Sequence, residues 1–311
     1  MFDKQDIEFN AEGTILRGWL YSPQQLSVGV KAPAIVMAHG YNCIKELYLD
    51  KYAECFAKAG FVVLVYDHKN FGDSDGEPRQ ELDPWQQVRD YRHAITFVQT
   101  LPSVNPDKIG IWGTSYSGGH VLVVAAIDKR VKCVVSQVPT ISGWRTMLRR
   151  VAPDKWDALR ADFNVDRLNR FESKLPKLVP MITDPDIGME SSHASRDAWE
   201  FFSGKNAEEN EQWRFNKWCN EITLRSLEMY AEYEPGSYID RIAPVPLLMI
   251  VGNNDVVTPT DEALAAFNKA GEIKKLLLFK GGHFSCYVEQ FELVAQNACE
   301  WFTKFLLENR L

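Results

Sequence analysis

No apolar run reaches the length of about 18 residues that a membrane-spanning helix requires. None is therefore expected. The chain has no excess of basic residues: Lys+Arg is 35 and Asp+Glu is 42, a net charge of −7. Such a surface repels phosphate backbones and anionic lipid, which argues against nucleic acid as the main partner. The six cysteines, Cys43, Cys55, Cys133, Cys219, Cys286 and Cys299, form no CxxC pair and no metal-ligand spacing. Free thiols in a reducing compartment are expected, with no metal and no cofactor. The opening Met1-Phe2-Asp3-Lys4-Gln5-Asp6 lacks the basic-then-apolar pattern of a secretion signal, so cytoplasm is the expected location. Repeats and low-complexity segments are absent. What remains is a long, ordinary apolar fraction, enough for one large domain or one domain with an insertion.

The apolar residues come in alternating patterns. Residues 6–10 and 15–21 read as paired strands around a turn at Glu12-Gly13. Short continuous apolar runs at 34–38, 61–66, 108–112, 131–137, 246–251 and 275–279 suit strands buried on both faces. Between them lie helical spacings at 48–59, 83–101, 118–127 and 260–270, and a closing helix at 287–307. Asp83-Pro84 is a helix start, with proline in the first turn. This alternation predicts an α/β protein with a mostly parallel sheet flanked by helices.

The rhythm breaks at 141–239. That stretch is helical in pattern, has no clear buried strand, and holds Trp144, Trp156, Trp199, Trp213 and Trp218, five of nine tryptophans. The expected organisation is a core of 1–140 and 240–311 with a helical lid at 141–239. Both ends of the lid are expected at the C-terminal edge of the sheet. Trp144 and Trp156 are its expected pocket residues, with Met147, Met181, Met189 and Met229 able to adapt to apolar shapes. Packing of the insertion onto the core explains the same aromatics equally well.

Gly113-Thr114-Ser115-Tyr116-Ser117-Gly118 lies between a buried strand and a helix rich in small residues. A nucleophilic serine needs such a context: a sharp strand-to-helix turn, with small neighbours that let strand and helix cross closely. Position 117 is serine where glycine is usual. The strand at 246–251 ends in Gly252-Asn253-Asn254-Asp255, and the next ends in Gly281-Gly282-His283. The order Ser, Asp, His puts three groups at the carboxyl ends of strands. A serine hydroxyl needs an imidazole to take its proton, and the imidazole needs a carboxylate to orient it. Ser115 is the candidate nucleophile, His283 the base and Asp255 the acid. Each has a plainer reading: a chance turn, a loop histidine, and a cap for the helix near Thr260.

A tetrahedral oxyanion needs preorganised donors. The backbone N–H of Tyr116, after the nucleophile, and of Tyr41, after His39-Gly40, are the candidates. The Tyr41 ring suits a pocket wall. His39, His68, His93, His120 and His193 have no motif that marks them as bases. Residues 67–76 read as a structural turn beneath the site. Cys43 and Cys286 are placed to line the pocket, neither in a setting that makes a nucleophile.

These motifs, with His39-Gly40-Tyr41-Asn42, resemble the α/β-hydrolase superfamily over essentially the whole chain. More narrowly, residues 71–79, Asp83-Pro84-Trp85-Gln86-Gln87 and residues 110–119 resemble a subgroup. It holds dienelactone-hydrolase-like proteins and the polyketide transferases and thiohydrolases of fungal biosynthetic clusters, where Ser117-Gly118 is the common form. The resemblance implies an α/β-hydrolase fold and a serine esterase or thioesterase. Its substrate would be a small hydrophobic acyl compound, polyketide-like, free or carrier-bound. C–C bond hydrolysis and acyl transfer on the same three residues are also implied, and some proteins of this fold only bind ligands. Ser115 argues against epoxide hydrolases and dehalogenases, which carry a carboxylate there. The lack of an added propeller or jelly-roll domain counts against a prolyl-type peptidase.

Overall fold

Glu12 and Gly13 have φ of 51° and 88°, the positive values that a two-residue hairpin turn between twisted strands demands. They join β1 (Phe2–Ala11) to β2 (Thr14–Pro23), paired antiparallel. The computed structural model describes residues 1–24, 29–187, 191–193, 195–205 and 207–308; Met189 lies outside the described residues. Further strands are β3 (Ala32–Ala38), β4 (Val62–Tyr66), β5 (Val104–Thr114) and β6 (Val131–Gln137). Then come the short β7 (Leu178–Pro180) and β8 (Glu221–Thr223), followed by β9 (Leu247–Gly252) and β10 (Lys274–Phe279).

Eight strands form one sheet in the order β1-β2-β4-β3-β5-β6-β9-β10. From β4 to β10 all neighbours are parallel. β3, β4 and β9 are buried at every position, which is why they read as unbroken apolar runs. Parallel strands bring their carboxyl ends to one edge. That edge receives the residues following β3, β4, β5, β6, β9 and β10.

The helices are α1 (Leu49–Lys58), α2 (Pro84–Thr100), α3 (Tyr116–Ile127), α4 (Gly143–Arg150), α5 (Trp156–Phe171), α6 (Arg196–Phe202), α7 (Leu224–Ala231), α8 (Thr260–Lys269) and α9 (Phe291–Phe302). Residues of α2, α3 and α8 pack in the core on one face of the sheet, and those of α1 and α9 on the other. Full burial of a Val, Leu or Phe side chain contributes about 1.5–3 kcal/mol, so both faces are strongly driven. Asp83 caps α2 as its position suggests, accepting from Trp85 N–H at 2.9 Å and Gln86 N–H at 3.1 Å.

Two helices differ from expectation. α3 starts at Tyr116, directly after Ser115, and not at Gly118. The closing helix starts at Phe291, because Ser285–Tyr287 form a separate 3-10 turn and Val288 (φ −124°, ψ −90°) is not helical.

The stretch 141–239 holds α4 to α7, and also the antiparallel pair β7 and β8, which its pattern did not announce. Three-residue strands are too short to show a period. Gly143 N–H donates to Tyr233 O at 2.8 Å, and Gly236 N–H to Ile141 O at 2.9 Å. This pair of bonds closes the excursion at a neck just past β6. From there Pro235–Arg241 pass along α3, and the chain returns to the opposite edge to begin β9. A parallel β6–β9 pair requires that crossover, so the last residues of 141–239 belong to it and not to the excursion.

Candidate active site

The local fold around Ser115 follows from small residues. Ser115 has φ 57° and ψ −116°, a strained conformation for a residue other than glycine. It is held there by Ser115 N–H to Gln137 O at 2.8 Å and Thr140 N–H to Ser115 O at 2.9 Å. A Cβ on Gly113 would sit 2.1 Å from Ser117 O, so only glycine lets β5 and α3 meet this closely.

His283 Nε2 lies 3.0 Å from Ser115 Oγ, and His283 Nδ1 lies 2.7 Å from Asp255 Oδ2. Asp255 and His283 are buried. Asp255 Oδ1 accepts from the N–H groups of Val257 and Thr258, both at 2.8 Å. Thr258 Oγ1 lies 2.9 Å from Asp255 Oδ2. The carboxylate is therefore aimed at the imidazole by its own loop. It does not cap α8; Thr260, the first residue of that helix, ties back to Asp255 N–H through its hydroxyl at 3.0 Å. The three residues thus come from separate strand ends into one hydrogen-bonded line.

Gly40 abuts the serine: a Cβ there would be 2.8 Å from Ser115 Cβ. The next residue, Tyr41, and Tyr116 at the start of α3 are both buried. Neither backbone N–H has a hydrogen-bond partner among the described residues. Buried unpaired N–H groups are rare, and this pair belongs to the residue after Gly40 and the residue after Ser115.

Behind this pair lies a polar layer that sequence reasoning treated only as a turn. Ser117 Oγ donates to His39 O, and His68 Nε2 lies 3.1 Å from Ser117 Oγ. His39 Nε2 accepts from His68 N–H at 3.1 Å. His120 bridges Gln87 Oε1 (2.8 Å) and the Tyr233 hydroxyl (2.9 Å). Burial lowers the basicity of His39, His68 and His120, which leaves them neutral and structural. Burial also raises Asp90, 3.6 Å from His68 Nδ1, to about 6. Lys45, itself buried, is held by Asp67 at 2.7 Å and Asp73 at 2.5 Å.

The cavity over Ser115 is lined by Tyr41, Cys43, Met181, His193, Phe201 and Phe284, among others. The Tyr41 ring packs against His193, Tyr116 and Tyr230. Met181, His193, Phe201 and Phe202 come from the 141–239 stretch. Burial, with the nearby Arg150 and His283, holds His193 neutral. Cys43 lines the cavity with its thiol pushed up to about 12 by burial. Cys286 does not line it; its Sγ packs against His283 O and Gln137 Nε2, both at 3.3 Å.

Trp144 and Trp156 also lie outside the cavity. They pack on each other, ring centroids 5.3 Å apart, and Trp144 is 43% exposed. The buried face of α4 is Gly143, Thr146 and Met147, so Trp144 points outward. Trp218 serves nearer the site. It stacks on Phe202 at 5.0 Å, and its indole N–H donates to Asn42 O at 2.8 Å. No motif marks it; only contact reveals it. Among the described residues no group of three His, Cys, Asp or Glu could hold a metal, and no helix is long and apolar enough to cross a membrane.

A strained serine after a central strand of a mostly parallel sheet, with acid and histidine on later strand ends, defines the α/β-hydrolase class. The solved structure of the α/β hydrolase GrgF from Penicillium sp. sh18 is similar over 98% of this chain and 99% of that one. Its TM-score is 0.84 at 26% identity. The chain belongs to the X-Pro dipeptidyl-peptidase (S15) family, whose model matches residues 12–285. Within that clan it falls with fungal thiohydrolases and polyketide transferases. It is 34% identical over 272 residues to the thiohydrolase aneE of Aspergillus aculeatus, covering 84% of this chain and 80% of that one. It is 29% identical over 308 residues to the polyketide transferase ATR5 of Stachybotrys chlorohalonatus, covering 97% and 98%.

Proposed function

We propose that the chain is a serine hydrolase that cleaves the ester or acyl-thioester of a hydrophobic, polyketide-like metabolite through an acyl-enzyme on Ser115. The observation that carries this reading is the placement of His283, 3.0 Å from Ser115 Oγ and 2.7 Å from Asp255. His283 takes the Ser115 proton as the oxygen attacks the acyl carbonyl. Asp255 stabilises the imidazolium. The N–H groups of Tyr41 and Tyr116 receive the oxyanion, each such donor contributing about a hundredfold to a thousandfold in rate. His283 then protonates the leaving alcohol or thiol. Water, deprotonated by His283, releases the acid and restores Ser115.

The residues of 141–239 that wall the cavity act as a lid in this reading and set acyl choice. Relatives named thiohydrolase and polyketide transferase support the substrate class. The second of those names also favours acyl transfer, in which an alcohol replaces water in the last step. A cytoplasmic setting fits six free thiols.

The test is labelling by a fluorophosphonate, followed by a panel of p-nitrophenyl esters and acyl thioesters of increasing size. Labelling at Ser115 with turnover of apolar acyl groups is expected. An unlabelled, inert protein would leave only ligand binding.

A further inference from the structure

The cavity over Ser115 measures about 20 Å³. A single water needs roughly 10–15 Å³ on this measure, so the space admits a reacting carbonyl and not the body of an acyl compound. A second chamber of about 570 Å³ adjoins it, within the range of small-molecule sites. His193 and Val257 line both. Its apolar walls include Met147 of the α4 core face, Val151 just after that helix, Leu159 of α5, and Leu224 and Leu227 of α7.

The charges around this chamber are unequal. Arg149 is spent on Asp261 at 2.7 Å and Glu262 at 3.2 Å, and Asp162 on Lys177 at 2.8 Å. Lys155 also lines it and has a partner of its own. Arg150 is different. Its Nη2 donates to Val257 O at 2.7 Å, and its guanidinium lies 5.5 Å from the Tyr230 ring centroid. No carboxylate of the described residues lies within ion-pair distance of it. A guanidinium has five N–H donors in a planar fork suited to oxyanions. Here it lines a chamber whose walls are apolar with a polar side at Ser191, Ser192 and Ser195, and among the described residues most of its donors are uncommitted, beside the wall shared with the Ser115 cavity.

We propose that this chamber holds the body of the substrate and that Arg150 binds an anionic oxygen group on it, so that preferred substrates are apolar compounds with one acidic end. The inference rests on Ser115 as the nucleophile. The anion is a carboxylate on the acyl part or a phosphate on the thiol part, and the substrates used in the test separate the two.

The experiment compares kcat/KM for matched pairs in wild type, Arg150→Gln and Arg150→Lys. One pair is the p-nitrophenyl monoester of decanedioic acid and the same compound with its free carboxylate methylated. The other is octanoyl phosphopantetheine and octanoyl pantetheine. Wild type is expected to favour the charged member of one pair by about tenfold to a hundredfold, the range of one charge-assisted hydrogen bond. Arg150→Gln should bring that ratio close to one, and Arg150→Lys should keep part of it. Because each ratio is read within one variant, a general loss of folding cancels. Equal rates within both pairs for wild type, or a preference that survives Arg150→Gln, would overturn the inference and leave the serine chemistry standing. Calorimetric binding of decanedioate monomethyl ester and of phosphopantetheine to Ser115→Ala and to Ser115→Ala/Arg150→Gln covers the case in which no substrate turns over. Weaker binding of one of them to the double variant supports the site, and equal binding of both overturns it.

Discussion

The Ser117 hydroxyl donates a hydrogen bond to the backbone carbonyl of His39, joining the first turn of α3 to the end of β3. The two N–H groups proposed for the oxyanion sit on these two segments, one residue from Ser115 and two from His39. Ser117 thus fixes their spacing. Ser117→Ala should lower kcat by roughly tenfold with little change in KM, less than the loss of a whole oxyanion donor. It also leaves a buried carbonyl short of a partner, at a cost of about 1–3 kcal/mol. Steady-state kinetics with a urea melt separates the effects: a lower melt with unchanged kcat would make the bond structural only.

Ser115→Ala and His283→Ala should each remove turnover by several orders of magnitude, and Asp255→Asn should be severe. Double variants should add little, because the three act as a unit. Near-normal hydrolysis by Ser115→Ala on every accepted substrate would sink the assignment.

The cavity wall makes a contrast within the insertion. Phe201 stacks on Phe284 at 4.4 Å over the site, whereas Trp144 faces outward. Phe201→Ala should change the ratio of kcat/KM between long and short acyl esters. Trp144→Ala should lower Tm by a few degrees and leave that ratio in place. Equal ratios in both variants would remove acyl selection from the wall.

Stability should fall as pH falls. His39, His68, His120 and His193 are held neutral in the fold, chiefly by burial. The unfolded chain protonates them below about 6.5. Because the unfolded state then binds more protons, stability present above that pH is lost below it, by about 1.4 kcal/mol per pH unit for each imidazole. Asp90, raised to about 6, works in the opposite sense. Its unfolded form gives up a proton near 3.9 and its folded form near 6, so its single contribution grows as pH falls through that window. Glu46, raised chiefly by burial, works in the same sense as Asp90; up to four protons oppose two, and the imidazoles win. Urea midpoints at pH 7.5 and 5.5 should differ clearly, and His120→Gln should shrink the difference by about a quarter. Equal midpoints at the two pH values would contradict this.

The sequence by itself determined the sheet, the strand ends and the order of Ser115, Asp255 and His283. Those features are local. A run such as Ala34–Ala38 declares its burial by composition, and a small-residue turn between strand and helix declares a close crossing. Tyr41 and Tyr116, the proposed oxyanion donors, were singled out for the same reason, as neighbours of such turns.

Only the tertiary structure decided the rest. Trp144 and Trp156 were singled out by residue type, but the direction of a side chain depends on which face of its helix is buried. For α4 that face is Gly143, Thr146 and Met147. The wall fell instead to His193, Phe201 and Phe202, together with Met181, one of the methionines expected there, all brought over Ser115 from far along the chain. The histidines at 39, 68 and 120 have no shared motif, yet three separate elements place them in one buried layer. Arg150 carries no signal in the sequence; that no carboxylate among the described residues pairs with it is a fact about neighbours that meet only when β6, α4 and the loop after β9 are assembled. Covalent order can place a functional group at the end of a strand, but its partners, solvent and dielectric are set by segments distant in the chain.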